Sequence, residues 1–136
     1  MKGKSSLGYE NAINMELGFK KLDVWKKAID FADNVIDLTE KLNTQSKHYR
    51  LIEQVEACSA SVSANIAEGK GRNSNKEFIQ FLYIARASLY ETISFLSLFE
   101  KRKWITKDQL NELEEEAIEL ASMIKGLINA IAKNLK

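Results

Sequence analysis

The sequence predicts an all-α protein whose residues 19–136 form an antiparallel, up-down-up-down four-helix bundle. Apolar and small residues recur at alternating spacings of three and four along four stretches, and alternation by two is absent. The 136 residues include no proline, so long helices are not interrupted. The segments between the four stretches are short, which favours antiparallel neighbours.

The N-terminal residues 1–18 lack a sustained apolar period and contain three of the six glycines. We expect a flexible or loosely attached arm there, followed by a single bundle domain over residues 19–136.

The four predicted helices follow in order, each defined by its apolar or small positions. The first has Leu22, Trp25, Ile29, Ala32, Ile36 and Thr39. The second has Ile52, Val55, Ser59, Val62 and Ile66. The third has Phe78, Leu82, Ala85, Leu89, Thr92, Leu96 and Phe99. The fourth has Leu110, Leu113, Ala117, Leu120, Ile124, Leu127 and Ile131.

The boundaries between these helices carry their own signals. Residues 43–46, Asn-Thr-Gln-Ser, separate the first two helices. Gly69 and Gly71 suit a left-handed C-terminal cap of the second helix. Residues 74–77 and 106–109 each place a hydroxyl three residues before Glu or Gln, so both predict a capping box.

The third helix has more apolar surface than one core-facing stripe requires. Ile84, Phe95 and Leu98 widen its apolar arc to roughly 220°, against about 100° for an ordinary surface helix. Either this helix is the most buried one in the monomer, or its extra flank contacts another subunit.

The charge distribution is polarised although the net charge is only +1. Residues 68–103 have seven basic and four acidic side chains, whereas residues 107–119 have one basic and six acidic ones. No apolar run approaches the roughly 20 residues of a membrane helix. Cys58 is the single cysteine, which excludes an internal disulfide and fits a cytoplasmic protein.

Four features resemble catalytic or metal sites, and each favours a structural reading. Residues 68–71, Glu-Gly-Lys-Gly, lack the spacing of a phosphate-binding loop and follow a helix. The glutamates of the fourth helix lack the Glu-x-x-His pairs of a di-iron site. Cys58 occupies a core-like position, and His48 lies in the first turn of a helix. We therefore expect no catalytic residue, no metal and no cofactor.

The middle of the second helix is thin, with Ser59, Ser61 and Ser63 among alanines. We expect close helix approach there, with hydroxyls bonded to carbonyls one turn earlier. A glutamate near a helix C-terminus opposes the helix dipole and needs a partner. We therefore predict a buried polar network, and its members are Asn65, Glu68, Arg86 and Glu91.

Two groups of basic residues are candidate nucleic-acid contacts. Lys70, Arg72 and Lys76 surround the turn before the third helix, and Lys101, Arg102 and Lys103 follow its end. About 40 Å of helix separates the groups, so they form separate patches.

Residues 61–91 also carry a family resemblance. The stretches that carry it are Ser61–Gly69, Arg72, Lys76–Phe78, Phe81–Leu82, Ile84–Ala85 and Ser88–Glu91, with Leu22–Trp25, Ala28, Leu51 and Gln54. They resemble the four helix bundle proteins once called S23 ribosomal proteins, which are encoded in intervening sequences of bacterial 23S ribosomal RNA genes. The chain departs from that pattern at Ser63, where the family has proline, at Ala87, where it has glycine, and before the second helix.

The resemblance implies a homo-oligomer, a pentameric ring, without catalytic activity. The accessory proteins of diversity-generating retroelements are similar in fold and bind nucleic acid and a reverse transcriptase. By that analogy we expect non-specific binding to RNA or DNA backbone, since a ring repeats each weak patch. The alternative is a scaffold that docks a protein such as a reverse transcriptase.

Overall fold

The computed structural model describes residues 2–44 and 48–135, and these residues contain five α-helices and no strand. The helices are α1 (Lys2–Glu16), α2 (Asp23–Thr39), α3 (Tyr49–Lys70), α4 (Asn75–Lys101) and α5 (Lys107–Ala132). Short 3-10 turns at Gly18–Lys21 and Lys133–Leu135 adjoin α2 and α5. The all-α prediction is confirmed, and the four predicted helices correspond to α2–α5.

Helix α1 was not predicted, because nothing in its sequence forms an apolar stripe. Its side chains Leu7, Tyr9 and Met15 are exposed, and its contacts are mainly with the 3-10 turn at Gly18–Lys21. Residues Lys2–Glu16 thus form a helix that buries little, and the expectation of a flexible or loosely attached arm stays a prediction. The domain boundary at residue 18 stays a prediction.

Helices α2–α5 share one apolar core. α2 packs against α3 and α5, and α4 likewise packs against α3 and α5. The largest side chains of the core that are fully excluded from solvent include Phe31, Leu82, Phe99 and Leu120. None of the described helices combines the length and the hydropathy that a membrane crossing requires.

Helices α3 and α4 run antiparallel and approach closely through small side chains. The Cys58 Sγ atom lies 3.2 Å from Thr92 Oγ1, and Ser61 Oγ lies 3.0 Å from Ser88 Oγ. Rising numbers in α3 therefore meet falling numbers in α4. Small residues allow this approach because short side chains keep the two backbones from being pushed apart.

The two predicted capping boxes differ in completeness. At α5, Thr106 Oγ1 accepts from the Gln109 N–H, and the Gln109 side chain accepts from the Thr106 N–H. At α4, Ser74 Oγ accepts from the Glu77 N–H at 3.2 Å, but the Glu77 carboxylate contacts the Ser74 hydroxyl instead of its backbone. The capping box at Thr106 is therefore confirmed, and the one at Ser74 is half formed.

The predicted left-handed glycine cap of α3 is wrong. Neither Gly69 nor Gly71 has a positive φ, and the C-cap residue Gly71 has φ −79°. Gly69 is instead a buried residue of the last helical turn. Within residues 2–44 and 48–135 the positive φ belongs to Lys103, at 65°, in the turn after α4.

Candidate nucleic-acid interface

The turn between α3 and α4 is shaped by the packing of Gly69. A Cβ atom on Gly69 would lie 2.6 Å from the Phe81 Cβ and 3.0 Å from the Phe78 Cδ1. Because real Cβ atoms do not approach so closely, only glycine fits at this position in the present geometry. The end of α3 is thereby held against the first two turns of α4, which fixes where the basic residues of the turn lie.

The three basic residues of this turn are all exposed, as a solvent-facing patch requires. The Arg72 guanidinium lies 4.7 Å from the Phe81 ring centre, and its Nη2 atom lies 3.6 Å from Glu68 Oε1. The Lys70 ammonium lies 6.0 Å from the Phe78 ring centre. Lys76 follows in the first turn of α4. An exposed ion pair such as Glu68–Arg72 contributes little stability and yields readily to a phosphate.

The second basic group lies at the opposite end of α4, and its three side chains are also exposed. Its backbone forms a Schellman motif, in which Trp104 N donates to Phe99 O and Lys103 N donates to Glu100 O, each at 2.9 Å. The Phe99 and Trp104 rings, 5.1 Å apart, supply the apolar contact of that motif. Lys103 occupies the left-handed position that glycine normally takes.

The two groups do not come together within the described chain. Helix α4 spans 27 residues, or about 40 Å at 1.5 Å per residue, and the groups flank its two ends. Each patch therefore contributes three cations separately. The left-handed backbone conformation of Lys103 could not be predicted from the sequence, because lysine is not a residue type that indicates this conformation.

The predicted buried network of Asn65, Glu68, Arg86 and Glu91 is not formed. Glu68 and Glu91 are exposed, and Glu68 pairs with Arg72. Asn65 donates to the carbonyl and the hydroxyl of Ser61. The Arg86 guanidinium lies over the rings of two tyrosines of its own helix, Tyr83 and Tyr90.

The four residues stay apart because they lie on different sides of the α3–α4 pair. Arg86 faces α5, whereas the exposed Glu91 lies on the α3 side of α4, beside Cys58. Glu68 pairs with Arg72, which is four residues further along the chain. The buried polar contacts between α3 and α4 are made by shorter side chains.

The predicted back-bonding of the α3 hydroxyls is confirmed for Ser59 and Ser63, whereas the Ser61 hydroxyl contacts that of Ser88. Ser59 Oγ donates to Glu56 O at 2.9 Å, and Ser63 Oγ donates to Ala60 O at 3.1 Å. No buried side-chain nitrogen or oxygen of the described residues lacks a hydrogen-bond partner. The thin middle of α3 is thus a satisfied packing surface.

Cys58 is buried, as its core-like position predicts. Burial raises the pKa of its thiol above 9.0, and the hydrogen bond from Thr92 opposes this while the charge of Glu91 adds to it. A thiol that stays protonated at neutral pH is a weak nucleophile.

The glutamates of α5 serve as surface partners of α2. Glu116 Oε1 accepts from Asn34 Nδ2 at 2.8 Å, and Glu119 pairs with Lys27 at 3.1 Å. No group of three potential metal ligands occurs in the described ranges. His48 stacks on Trp104 with 4.3 Å between ring centres, so it packs against the α4–α5 turn.

The extra apolar flank of α4 is not covered within the chain. Ile84 is 48% exposed and Leu98 is 42% exposed. On the side toward α5, Tyr83 and Tyr90 are about half exposed, and Ile118 of α5 is 68% exposed. The monomer therefore leaves Ile84 and Leu98 partly uncovered, whereas Phe95 is half-buried and packs against the core. A subunit contact through this flank stays a prediction.

Comparison with known proteins identifies one family. The family model described as 23S rRNA-intervening sequence protein matches residues 20–126. A solved structure from Bacteroides thetaiotaomicron VPI-5482, a protein with unknown function from the S23 ribosomal protein family, is similar with a TM-score of 0.71 and 27% identity. The similarity covers 77% of this chain and 97% of that one. No curated protein is found to match the chain.

Proposed function

We propose, because the chain belongs to the 23S rRNA-intervening sequence protein family, that it is a non-catalytic homo-oligomer that binds nucleic acid. The target is RNA or DNA backbone, without sequence readout, and the binding residues are Lys70, Arg72, Lys76, Lys101, Arg102 and Lys103. The observation that carries the proposal is the exposure of all six side chains in two patches at the ends of α4.

The bundle is proposed to have up-down-up-down topology, with α1 outside it. The antiparallel contacts of α3 with α4 support this topology, as do those of α2 with α5. Asn34 meets Glu116 and the earlier Lys27 meets the later Glu119. In such a bundle both basic patches lie at its ends, where solvent and ligand reach them.

The oligomer is proposed to be a pentamer in the cytoplasm. The partly exposed flank at Ile84 and Leu98 supports a subunit contact, since exposed apolar patches mark interfaces. A chain with a net charge of +1 binds a polyanion weakly, but a ring repeats each patch and gains effective concentration. Light scattering tests the assembly: five times 15.5 kDa is expected, and a monomer at micromolar concentration would contradict it.

Binding is tested by fluorescence anisotropy with labelled single-stranded and duplex RNA across a salt series. We expect binding at about 50 mM salt that weakens steeply as salt rises, because phosphate contacts release counterions. Replacing Lys70, Arg72 and Lys76 by glutamine should weaken binding. The matched control replaces the exposed Lys20, Lys21 and Lys26, which removes the same charge elsewhere. No binding at about 50 mM salt would refute the proposal.

The second candidate function is a scaffold for a protein partner such as a reverse transcriptase. The exposed Ile118, among the acidic residues of α5, favours a protein contact on that helix. Pull-down from the native host separates the two functions. A polymerase recovered after nuclease treatment would support the scaffold, and its loss on nuclease treatment would support nucleic-acid binding.

A further inference from the structure

One exposed face of α4 connects the two basic patches and is lined by aromatic and cationic side chains. Along this face lie the exposed Lys76, Tyr83, Tyr90 and Lys101 and the half-buried Arg86. At 100° per residue these positions fall within about 80° of one another around the helix. From Lys76 to Lys101 the face runs for about 37 Å. We call these five residues the α4 stripe.

The centre of the stripe is an arginine between two tyrosines. The Arg86 guanidinium lies 5.0 Å from the Tyr83 ring centre and 6.0 Å from the Tyr90 ring centre. Tyr83 is 48% exposed and Tyr90 is 57% exposed. Both rings thus keep about half of their surface for another molecule, while the guanidinium limits their movement.

The positive charges of the α4 stripe are not neutralised by its neighbours. The ion pairs formed among the described residues engage none of its cations. The acidic residues of α4, at positions 77, 91 and 100, lie outside the stripe, about 40–100° around the helix from its nearer edge. Across the groove toward α5 stand Lys125 and one acidic residue, Glu114.

We infer that the α4 stripe binds single-stranded nucleic acid, with bases stacked on Tyr83 and Tyr90. This inference rests on the proposed function and names its substrate class. Half-exposed aromatic rings beside arginine are the usual contacts of single strands, since every base offers a π face. Lys76 and Lys101 then engage phosphates at either end. Bases in a duplex are stacked on each other and cannot reach these rings.

A second copy of the chain is the competing occupant of this face. A twofold contact through the stripe would place cations opposite cations, which costs energy in a desolvated interface. In the proposed ring the subunits meet head to tail, and that contact is assigned to the flank at Ile84 and Leu98. The partner that suits the stripe is a polyanion with flat apolar groups, which describes a single strand.

The test compares two tyrosine variants in anisotropy titrations at about 50 mM salt. The probes are a fluorescein-labelled 12-nucleotide oligouridylate and a duplex RNA of the same length. Tyr83→Leu with Tyr90→Leu keeps apolar bulk but removes both rings, so single-strand affinity should fall about tenfold or more. Affinity for the duplex should stay unchanged. Tyr83→Phe with Tyr90→Phe keeps both rings and should bind like the parent protein.

The control is Tyr9→Leu, which removes an exposed tyrosine from α1 and should leave both affinities unchanged. Equal affinity of the parent and the leucine pair for the single strand would overturn the stripe while leaving the backbone patches standing. Absence of binding to either probe would overturn both proposals. A lower mass of the leucine pair in light scattering would identify the face as a subunit contact and overturn the stripe.

Discussion

Replacing Gly69 by alanine should destabilise the protein, although the same change in most helices is stabilising. Gly69 lies in the last turn of α3, where alanine is favoured over glycine by at most about 1 kcal/mol. The new Cβ would lie 2.6 Å from the Phe81 Cβ, an atom fixed to the α4 backbone. Relief requires α3 and α4 to separate, and overpacking of this kind costs about 1–3 kcal/mol or more. We expect the free energy of unfolding to fall by about 1–2 kcal/mol.

Gly126 provides the matched control. It also lies inside a helix, α5, but nothing stands within 4 Å of a Cβ added there. Gly126→Ala should therefore raise the free energy of unfolding by about 0.5–1 kcal/mol through helix propensity alone. Urea denaturation followed by circular dichroism measures both variants at one protein concentration, because the stability of the proposed oligomer would depend on concentration.

The test depends on whether Gly69→Ala and Gly126→Ala change the free energy of unfolding in opposite directions. If both variants gain stability equally, the close approach of α3 and α4 at Gly69 is wrong. If Gly69→Ala alone loses stability, and a second change of Phe81 to glycine, which removes the clashing Cβ, recovers part of the loss, the contact is established. That recovery would be measured against the cost of Phe81→Gly by itself, as in a double-mutant cycle.

Two further predictions concern single residues. Lys103→Gly should raise the free energy of unfolding by about 1 kcal/mol in urea denaturation, because Lys103 has φ 65° and glycine takes that region without strain; no gain would contradict the left-handed cap. Burial raises the pKa of the Cys58 thiol above 9.0, so iodoacetamide at pH 8 should modify it more slowly in the native than in the urea-unfolded protein. The stability due to that burial is complete below pH 9 and is lost as the pH rises through the raised pKa. Equal rates in both states would contradict the burial.

Helices α2–α5 were predictable because their core-facing residues have a strong helical period, which α1 lacks. Which face of a helix is buried in the core was not always predictable. In α2 the sequence allows two seams, and we expected Ile29 and Ile36 in the core. Both are partly exposed, and Phe31 and Val35 are buried instead. Two apolar faces on one helix cannot be ranked by period alone, since the neighbours decide which is covered.

The glycines illustrate a second limit. A glycine near a helix end predicts a left-handed cap, but Gly69 is needed for close packing against Phe81. The sequence alone does not show which of these two roles a glycine has. Conversely, the left-handed residue is Lys103, which only the backbone reveals.

The basic patches were predictable as exposed groups because lysine and arginine rarely lie in a core. The polar network was not, because pairing depends on which side of α4 each residue faces. Arg86 is placed beside α5 and between two tyrosines of its own helix, away from Glu68. A spacing of three and four residues, 83, 86 and 90, is visible in the sequence and could have indicated this cluster.

Helix α4 combines two surfaces that different ligands would use. The apolar flank, represented by Ile84 and Leu98, lies about 100° around the helix from the centre of the α4 stripe. A subunit contact through the flank would therefore leave the stripe open to solvent on each copy. Because closed rings repeat one orientation, every copy would present its stripe in the same way to a single strand. The near-neutral charge of the chain is then no obstacle, since affinity would come from base stacking and repetition as well as from net charge.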